Sequence, residues 1–399
     1  MHLTTIDATL ALGLRRELEV DVAGGLETVG MSAPGPFGHE LEQIGVRHVG
    51  LPAFTRRWDL RADAHVAGQL YRELRCLKPD VLHTHTPKAG VVGRVVGRAA
   101  GVRIIVNTCH GLWAQPADRR RKRWPVYAAE AVAGLFSDFE LYQNDQDRQT
   151  LAFAVRRGKA EVVGNGIDLC RFTFDRSGRS KVRDELGLRE GELLVGGVGR
   201  CVAEKGIPEF AAAARILAGR ARFVWVGPPD LDKADATADV LDGVQLLGFR
   251  GDMPGVLSAC DVFVLPSHRE GMSRVSMEAA ACGRPMVLTD IRGCREIGAP
   301  GVHALFVPPR STQGLAAAIG KLIDDPVLRA RLGHNASKRA LLAFDQGRVA
   351  ERSLAAYRSV AARKGLRWPP TFLLACPIDA TSAGGGSGGH ATDWRSRAR

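Results

Sequence analysis

The sequence predicts an α/β protein with two doubly wound parallel sheets, one in each of two domains. Short β-rich runs alternate with helical patterns along the chain, as in βαβ units, and such units build parallel sheets. The alternation occurs twice, and 399 residues exceed what a single ordinary core holds. Ligands of these sheets bind beyond the carboxyl ends of the strands, so we expect the functional site in the cleft where two Rossmann-like domains face each other.

The first domain is predicted over residues 1–163. Its strand candidates are short and rich in branched or aromatic residues, which favours strands. Helical patterns lie between them and are clearest over 62–77 and 87–100. In chain order, the strand candidates are HLTTI, LETVGMS, DVLHTH, RIIVNT, DFELYQ and AEVVG.

The second domain is predicted over residues 164–345 and begins at GNGIDLCRF. Two helical stretches, 335–344 and 347–364, follow its last strand, and we expect a helix at 346–364 to pack back onto the first domain. The tail, 365–399, contains AGGGSGG and is predicted to be disordered. The strand candidates are ELLVGGVG, RFVWVG, VQLLG, DVFVLP, RPMVLT and HALFVP.

The composition predicts a cytoplasmic protein. No run of 18 apolar residues occurs, so we expect no membrane-spanning helix. The first residues, MHLTTIDATLALGL, lack a cationic leader and include Asp7, so we expect no signal peptide. The eight cysteines form no C-x-x-C pair, which favours reduced thiols over disulfides or a zinc site.

The net charge of +12 indicates an anionic partner. Five consecutive cations precede Trp124, and Pro125 is predicted to start a helix just past them. One interpretation is a solvated surface. The other is a patch that docks on anionic headgroups at the inner face of the cell membrane, with Trp at the interface. No nucleic-acid motif accompanies the cations, so we expect no nucleic-acid partner. The five cations are Arg119, Arg120, Arg121, Lys122 and Arg123.

A glycine-rich segment, GGVGRCVAEKG at 196–206, follows a predicted strand. It fails the dinucleotide pattern G-x-G-x-x-G because Val202 occupies the third glycine position. Gly199 would let the backbone approach a ligand closely. Arg200 and Lys205 follow, and two cations at the end of a strand suit a diphosphate, which Arg can hold with two hydrogen bonds. Taken alone, the two cations would sooner indicate ordinary surface charges than a binding site.

Two glutamates, Glu270 and Glu278, lie in HREGMSRVSMEAAACGRP at 268–285. Ser273 is a candidate N-cap for the helix that contains Glu278, so the positive end of this helix should point into the cleft and favour an anion. The carboxylates on either side would instead accept hydrogen bonds from hydroxyls. The pattern therefore predicts a ligand that is anionic in its middle and rich in hydroxyls at both ends, such as a sugar–diphosphate–nucleoside.

Histidines end two strands of the first domain. His83 and His85 form an H-x-H pair, and such a pair can supply the first two ligands of a binuclear metal site in hydrolases. The further ligands that such a site needs cannot be assembled from the sequence, and satisfied structural histidines are the alternative. His110 follows the next strand, and Gly111 would allow a ligand to approach closely.

D-x-D pairs hold Mn²⁺ or Mg²⁺ in many sugar transferases. Two pairs occur in this chain, which is close to chance for its composition, and they do not come with the single-domain architecture of those enzymes. We therefore predict no metal site from them. The pairs are Asp145/Asp147 and Asp230/Asp232.

These motifs occur together and in order, and they resemble those of the family 4 retaining glycosyltransferases, which have the GT-B fold. The resemblance covers about residues 1–362. HTHTPKAG, EKG, SHREG and DIRGCRE resemble the bacterial branch that builds capsular, exopolysaccharide and O-antigen glycans. Each motif alone is weak, whereas the ordered combination is specific. The motifs are E-x₇-E (Glu270, Glu278), G-R-x₄-K (Gly199, Arg200, Lys205), HG (His110, Gly111) and GNGID at 164–168.

The resemblance implies a role for each site residue. Arg200 and Lys205 would hold the donor diphosphate and stabilise it as it leaves. Glu270 would bind hydroxyls of the donor sugar, Glu278 would bind the ribose, and His110 would contact the sugar from the other domain. Transfer would proceed at the front face with retention, and no metal or other cofactor would be required. The backbone amides near the donor would come from Gly271, Met272 and Ser273.

The implied activity is transfer of a hexosyl or N-acetylhexosaminyl group from a nucleotide sugar, with UDP as the expected nucleotide. The acceptor would be a glycan or a polyprenyl-linked molecule in cell-surface polysaccharide synthesis. Two features depart from the family pattern: Ser273 stands where many members have Pro, and IDATLA replaces a glycine-rich loop after the first strand. The alternatives are a sugar-nucleotide epimerase of the same fold, a metal-dependent hydrolase using His83 and His85, and a non-catalytic scaffold.

Overall fold

The computed structural model describes residues 1–55, 58–116, 118–155, 158–228 and 241–368. The chain forms two parallel sheets, of seven and six strands, with helices on both faces. Residues 369–399, most of the tail predicted to be disordered, lie outside the described residues. The predicted fold class, two doubly wound α/β sheets, is confirmed.

The first sheet has the order β3-β2-β1-β4-β5-β6-β7. Its order reverses between β1 and β4, where His2 lies opposite His83 and Leu3 opposite Thr84. The strands are β1 (His2–Ile6), β2 (Val29–Ala33), β3 (Arg47–Gly50), β4 (Val81–His85), β5 (Ile104–Cys109), β6 (Phe139–Tyr142) and β7 (Ala160–Val162).

The helices of this half follow or connect those strands. A π-helical turn at Thr9–Gly13 lies where the sequence departs from the glycine-rich family pattern. The α-helices are α1 (Arg15–Ala23), α2 (Gly38–Glu42), α3 (Leu60–Leu77), α4 (Pro87–Ala99), α5 (Arg120–Gly134) and α6 (Asp145–Thr150).

The second sheet has the order β10-β9-β8-β11-β12-β13. Its order reverses between β8 and β11, so the carboxyl ends of these two strands frame a crevice. The strands are β8 (Leu194–Val198), β9 (Arg222–Val226), β10 (Gln245–Leu246), β11 (Val262–Leu265), β12 (Met286–Thr289) and β13 (Leu305–Val307).

The helices of the second half begin with α7, and a 3₁₀ turn at Ala203–Lys205 precedes α8. The last helix, α14, leaves the second sheet and covers the first, where Tyr357 Oη lies 2.5 Å from His83 Nδ1. The helices are α7 (Arg176–Glu185), α8 (Ile207–Ile216), α9 (Met253–Ala259), α10 (Arg274–Ala281), α11 (Arg292–Arg295), α12 (Thr312–Asp324), α13 (Pro326–Ala343) and α14 (Gln346–Arg363).

All twelve strand candidates overlap an observed strand, whereas β3 was not predicted from the sequence. β3 is an edge strand of four residues, RHVG, and Val49 is its single branched apolar side chain, so its pattern is too weak to predict a strand. The helix predicted at 335–344 begins nine residues earlier, because Asp325 caps it by accepting a hydrogen bond from Leu328 N at 2.8 Å.

The expected start of α5 at Pro125 is wrong. The helix begins at Arg120, because Lys122 N and Arg123 N both donate to Arg119 O, at 2.9 and 3.1 Å. These bonds form the first turn from the basic residues themselves. Pro125 then removes the one bond that its own N–H would have made, and the helix continues through it.

Within the described residues, no helix combines the length and the apolar character that crossing a membrane requires. The cysteines of the same parts are all free thiols.

Candidate active site

The two halves of the molecule meet backbone to backbone at Gly111 and Gly271. Gly111 follows β5 with φ of +116°, and a Cβ placed on it would lie 2.6 Å from the Cα of Gly271. A Cβ placed on Gly271 would lie 2.1 Å from the carbonyl oxygen of His110. No side chain fits at either position, so this pair of glycines sets how closely the two sheets approach.

A buried ion pair holds this contact together. Arg292, on α11, donates to the carboxylate of Asp147 and, at 2.6 Å, to the carbonyl oxygen of Leu112. Asp147 also accepts from Leu112 N at 3.0 Å and from Asn144 Nδ2 at 2.8 Å. Because buried charges are stable only when paired and hydrogen-bonded, this cluster fixes the two halves relative to each other.

The same cluster accounts for one of the D-x-D pairs. One carboxylate oxygen of Asp147 accepts from Arg292 and the other accepts from Leu112 N. Asp145 accepts from Arg148 Nε at 2.8 Å. Asp147 is therefore engaged in domain contact. The second pair, Asp230/Asp232, lies outside the described residues.

Lys205 and Glu270 form an ion pair on the second-sheet side of the cleft. Lys205 Nζ donates to Glu270 Oε1 at 2.6 Å, and both side chains are largely but not fully buried. Lys205 ends the 3₁₀ turn after β8, and Glu270 comes from the loop after β11. The reversal of strand order between β8 and β11 thus brings together two residues that lie 65 positions apart.

The backbone of Gly199 packs against the side chain of Lys205. A Cβ on Gly199, whose φ is +156°, would lie 3.4 Å from Lys205 Cγ. Its carbonyl oxygen accepts a hydrogen bond from Trp225 Nε1 at 2.8 Å, which anchors the end of β8. Arg200 follows with an exposed side chain.

The start of α10 confirms the predicted N-cap. Ser273 Oγ accepts from Ser276 N at 3.3 Å. Met272 packs into the hydrophobic core of the second half and fixes the loop that leads into the helix. Glu278 lies one turn beyond Arg274, and burial raises the pKa of its carboxyl while the Arg274 guanidinium opposes that rise.

His110 contributes from the first-sheet side. Its Nδ1 lies 2.8 Å from Gln143 Nε2, and its Nε2 lies 3.0 Å from His85 Nδ1. Burial lowers the pKa of its imidazole to about 4, although the Glu17 carboxylate favours the charged form, so the ring is neutral at pH 7. His110 lines a cavity of about 110 Å³ together with Glu17, Gln143 and Arg274.

His83 and His85 lie in a fully buried polar cluster. Ligand atoms of His2, Glu17, His83 and His85 lie within 4.8 Å of one another, so β1 and α1 supply the partners that sequence reasoning could not assemble. Three imidazoles and a carboxylate form a donor set that suits zinc. A hydrolytic metal also needs an open coordination position for water and substrate, and the burial of all four residues disfavours that use.

The predicted basic patch lies at the start of α5. Its side chains are exposed, apart from that of Arg123, which is partly covered, and Trp124 is 55% exposed. Lys122 Nζ sits 5.7 Å from the centre of the Trp113 ring, which adds a second exposed aromatic residue to the patch. Trp113 follows His110 by three residues, so the patch adjoins the cleft.

Sequence reasoning missed several residues of the cleft. Glu17 and Arg274 line the cavity beside His110, and Arg292 holds the two halves together. Arg292 lies within the DIRGCRE motif, which contributed to the family resemblance but did not indicate what Arg292 does. Glu17 gave no signal, because it reaches the site only through the packing of α1 on the first sheet.

A methyl group added at Gly271 should disturb the cleft. Gly271→Ala places its Cβ against the His110 carbonyl, so we expect the two halves to separate locally, with a lower unfolding temperature and much weaker turnover. Gly251→Ala is the matched control, because a Cβ there meets nothing within 4 Å. Thermal unfolding and donor turnover measure both variants. Equal behaviour of the two variants would contradict the close contact.

Two protein-family descriptions match the chain, one on each half. "Glycosyltransferase Family 4" matches residues 8–171, and "Glycosyl transferases group 1" matches residues 192–325. A curated relative from Escherichia coli, UDP-Gal:alpha-D-GlcNAc-diphosphoundecaprenol alpha-1,3-galactosyltransferase, is 29% identical and aligns with 74% of this chain and 79% of its own length. Capsular polysaccharide biosynthesis glycosyltransferase CapM from Staphylococcus aureus is 26% identical over 66% of this chain and 72% of its own.

Solved structures share the architecture. Anabaena HepE, crystallised in complex with UDP-glucose, superposes with a TM-score of 0.76 at 23% identity, covering 90% of this chain and 98% of that one. This likeness shows the GT-B fold. With a glycosyltransferase family match on each half, the chain belongs to the family 4, or group 1, glycosyltransferases and is an enzyme.

Proposed function

We propose that the enzyme transfers a sugar, with retention, from a UDP-sugar to a polyprenyl-diphosphate-linked acceptor during synthesis of a cell-surface polysaccharide. The name of the E. coli relative supports a UDP donor and a diphosphoundecaprenol acceptor. The name of the S. aureus relative supports a role in surface polysaccharide synthesis.

The observation that carries this proposal is the Lys205–Glu270 ion pair at the carboxyl ends of β8 and β11. The two side chains present a cation and a carboxylate within 2.6 Å of each other, in a cleft open to solvent. A sugar attached to a diphosphate needs the same pair of groups, since its phosphates require a cation and its hydroxyls require an acceptor. Lys205 would hold the phosphates and Glu270 the sugar.

Charge on the departing UDP would be balanced by fixed groups. Lys205 and Arg200 supply cations. The backbone amides of the segment Gly271–Ser273 lie next to the positive, amino-terminal end of α10. Such preorganised groups stabilise developing charge without reorganising at the moment of reaction. We propose that this step requires no metal.

The two ends of the donor would be held from different halves. Glu278, on α10 beyond the helix start, would accept hydrogen bonds from the ribose hydroxyls. The neutral imidazole of His110 would meet the sugar from the opposite side, next to the Gly111–Gly271 contact. Front-face transfer fits this arrangement, because the acceptor and the leaving phosphate would share one face of the sugar.

We further propose that the enzyme is cytoplasmic and docks on the inner face of the membrane through Arg119–Trp124. The exposed cations and the aromatic residues Trp113 and Trp124 form one surface beside the cleft. A lipid-linked acceptor would reach the cleft from that surface.

The reaction itself is tested with a panel of UDP-sugars, with and without a synthetic polyprenyl diphosphate that carries a short glycan. We expect UDP release only in the presence of acceptor, and the NMR spectrum of the product should show the anomeric configuration of the donor. Conversion of the sugar nucleotide in the absence of acceptor would instead indicate the epimerase. Loss of all activity in a chelator would contradict the metal-free step.

Removal of the phosphate-binding cation should impair turnover without unfolding the protein. For Lys205→Ala and Arg200→Ala, we expect kcat/KM to fall by about 10²–10³-fold, the usual effect of deleting one group that stabilises transition-state charge. Lys321→Ala, which removes an exposed lysine of α12, is the control and should behave as wild type. Near-normal kcat/KM in both site variants would refute the assignment.

The basic patch should bind anionic lipid. Each cation near an anionic leaflet contributes about 1 kcal/mol, so vesicle binding should be measurable and should weaken as salt rises. Changing the five cations of 119–123 to Ser should abolish co-sedimentation with anionic vesicles.

The matched control for this variant removes five exposed cations from the second half of the chain, and it should still co-sediment. Equal recovery of wild type with neutral and anionic vesicles would contradict docking. The control positions are Arg189, Arg215, Lys321, Arg331 and Lys338.

A further inference from the structure

A row of polar side chains runs through the core of the first half of the protein. His2 on β1 and His85 on β4 lie on the face of the sheet that α1 and α14 cover, and both are at most 1% exposed. Asp21, on α1, is 3% exposed. Buried polar groups cost free energy unless they are hydrogen-bonded, so the bonds within this row determine what it can do.

The row is a continuous chain of hydrogen bonds that ends in the cleft. Asp21 Oδ2 lies 2.7 Å from His2 Nε2, and His2 Nδ1 lies 3.1 Å from His85 Nε2. His85 Nδ1 lies 3.0 Å from His110 Nε2, and His110 Nδ1 lies 2.8 Å from Gln143 Nε2. Each of the three rings uses both nitrogens, one for each neighbour.

The carboxylate gives this chain a direction. A carboxylate accepts hydrogen bonds, so His2 must donate from Nε2, and the Nδ1 of a neutral His2 ring is then an acceptor. His85 must therefore donate from Nε2 and accept at Nδ1. The same step applied to His110 places its proton on Nε2 and leaves Nδ1 as an acceptor. The Gln143 side chain faces Nδ1 with its donor nitrogen, which agrees with this order.

We propose that Asp21, acting through His2 and His85, fixes His110 as the neutral Nε2-protonated tautomer, so that Nδ1 accepts the hydrogen bond from Gln143 and thereby sets the orientation of that side chain beside the cleft. Asp21, His2 and His85 are then positioning residues for His110. The inference rests on the proposed function in one respect, the contact of His110 with the donor sugar.

The surroundings keep the rings of His85 and His110 neutral. Burial lowers the pKa of His85 well below its ordinary value, and the neighbouring imidazoles act in the same direction. Other charged or titratable groups near His85 and His110 are Glu17, His83, Arg274 and the amino terminus, and Glu17 alone among them favours the charged form.

A metal ion bound to His2, Glu17, His83 and His85 is the competing interpretation. If the ion were held by His2 Nδ1 and His85 Nε2, both lone pairs would have to point at it, and the proton that joins these two atoms at 3.1 Å in the row would be lost. An ion held by these two nitrogens and the hydrogen-bonded row therefore exclude each other.

The direct test is ¹⁵N NMR of the wild-type enzyme labelled at histidine, with the His110 signals identified by their loss in His110→Gln. We expect a protonated Nε2 and an unprotonated Nδ1 for His110 at pH 7. A protonated Nδ1, or a stoichiometric metal ion in protein purified without chelators, would overturn the proposal. This measurement needs no turnover, so its outcome is independent of the proposed reaction.

The second test uses Asp21→Asn. An amide can either accept from or donate to His2, so both directions of the chain become available, and the NMR spectrum should show a mixture of His110 tautomers. We expect kcat to fall about three- to tenfold, the effect of misplacing one neutral hydrogen bond. In a His110→Ala background, Asp21→Asn should change kcat no further. An equal loss in both backgrounds would mean that Asp21 acts on structure alone, and the proposal would fail.

Asp138→Asn is the matched control. Asp138 is another largely buried carboxylate of the first half, bonded to Arg98 and Lys364 and absent from the row. Its substitution should lower the unfolding temperature and leave the His110 tautomer unchanged. If His110→Ala alone leaves kcat unchanged, the role of His110 in transfer is wrong, while the NMR measurement still decides whether the hydrogen-bonded row exists.

Discussion

The close approach of Gly111 and Gly271 is the constraint on which the cleft depends. Because neither residue carries a side chain, the carboxyl ends of two sheets come within backbone contact, and the Arg292–Asp147 pair holds them there. The proposed active site depends on this contact, because its residues come from both halves. Lys205 and Glu270 stand on one side of the contact and His110 on the other, so a sugar between them would be reached from both halves.

The sequence predicted the fold class and the positions of twelve strands along the chain, because hydrophobic patterning is local information. It also predicted the Ser273 cap, which depends on a neighbour three residues away. Direct pairing of Lys205 with Glu270 was not predictable. The two motifs were interpreted as separate contacts to a ligand, and their meeting follows from which strands lie side by side in the sheet.

The same limit applies to the histidines. HTHT was weighed as a metal motif that lacked partners, and those partners come from β1 and α1 through sheet register and helix packing. Neither register nor packing leaves a motif in the sequence. The patch at 119–124 differs, because its charges are evident from the sequence. Its helix start was nevertheless predicted wrongly, because Pro125 was interpreted as the first residue of the helix.

The position of α14 has a consequence for how the protein is made. This helix, the last one described, covers the face of the first sheet and places Tyr357 against His83, 274 residues away in sequence. A ribosome releases the amino-terminal strands long before it releases residues 346–363. The part of this sheet face that α14 covers must therefore stay exposed during translation until residues 346–363 have left the ribosome. A chain truncated before α14 would leave that apolar surface open to aggregation.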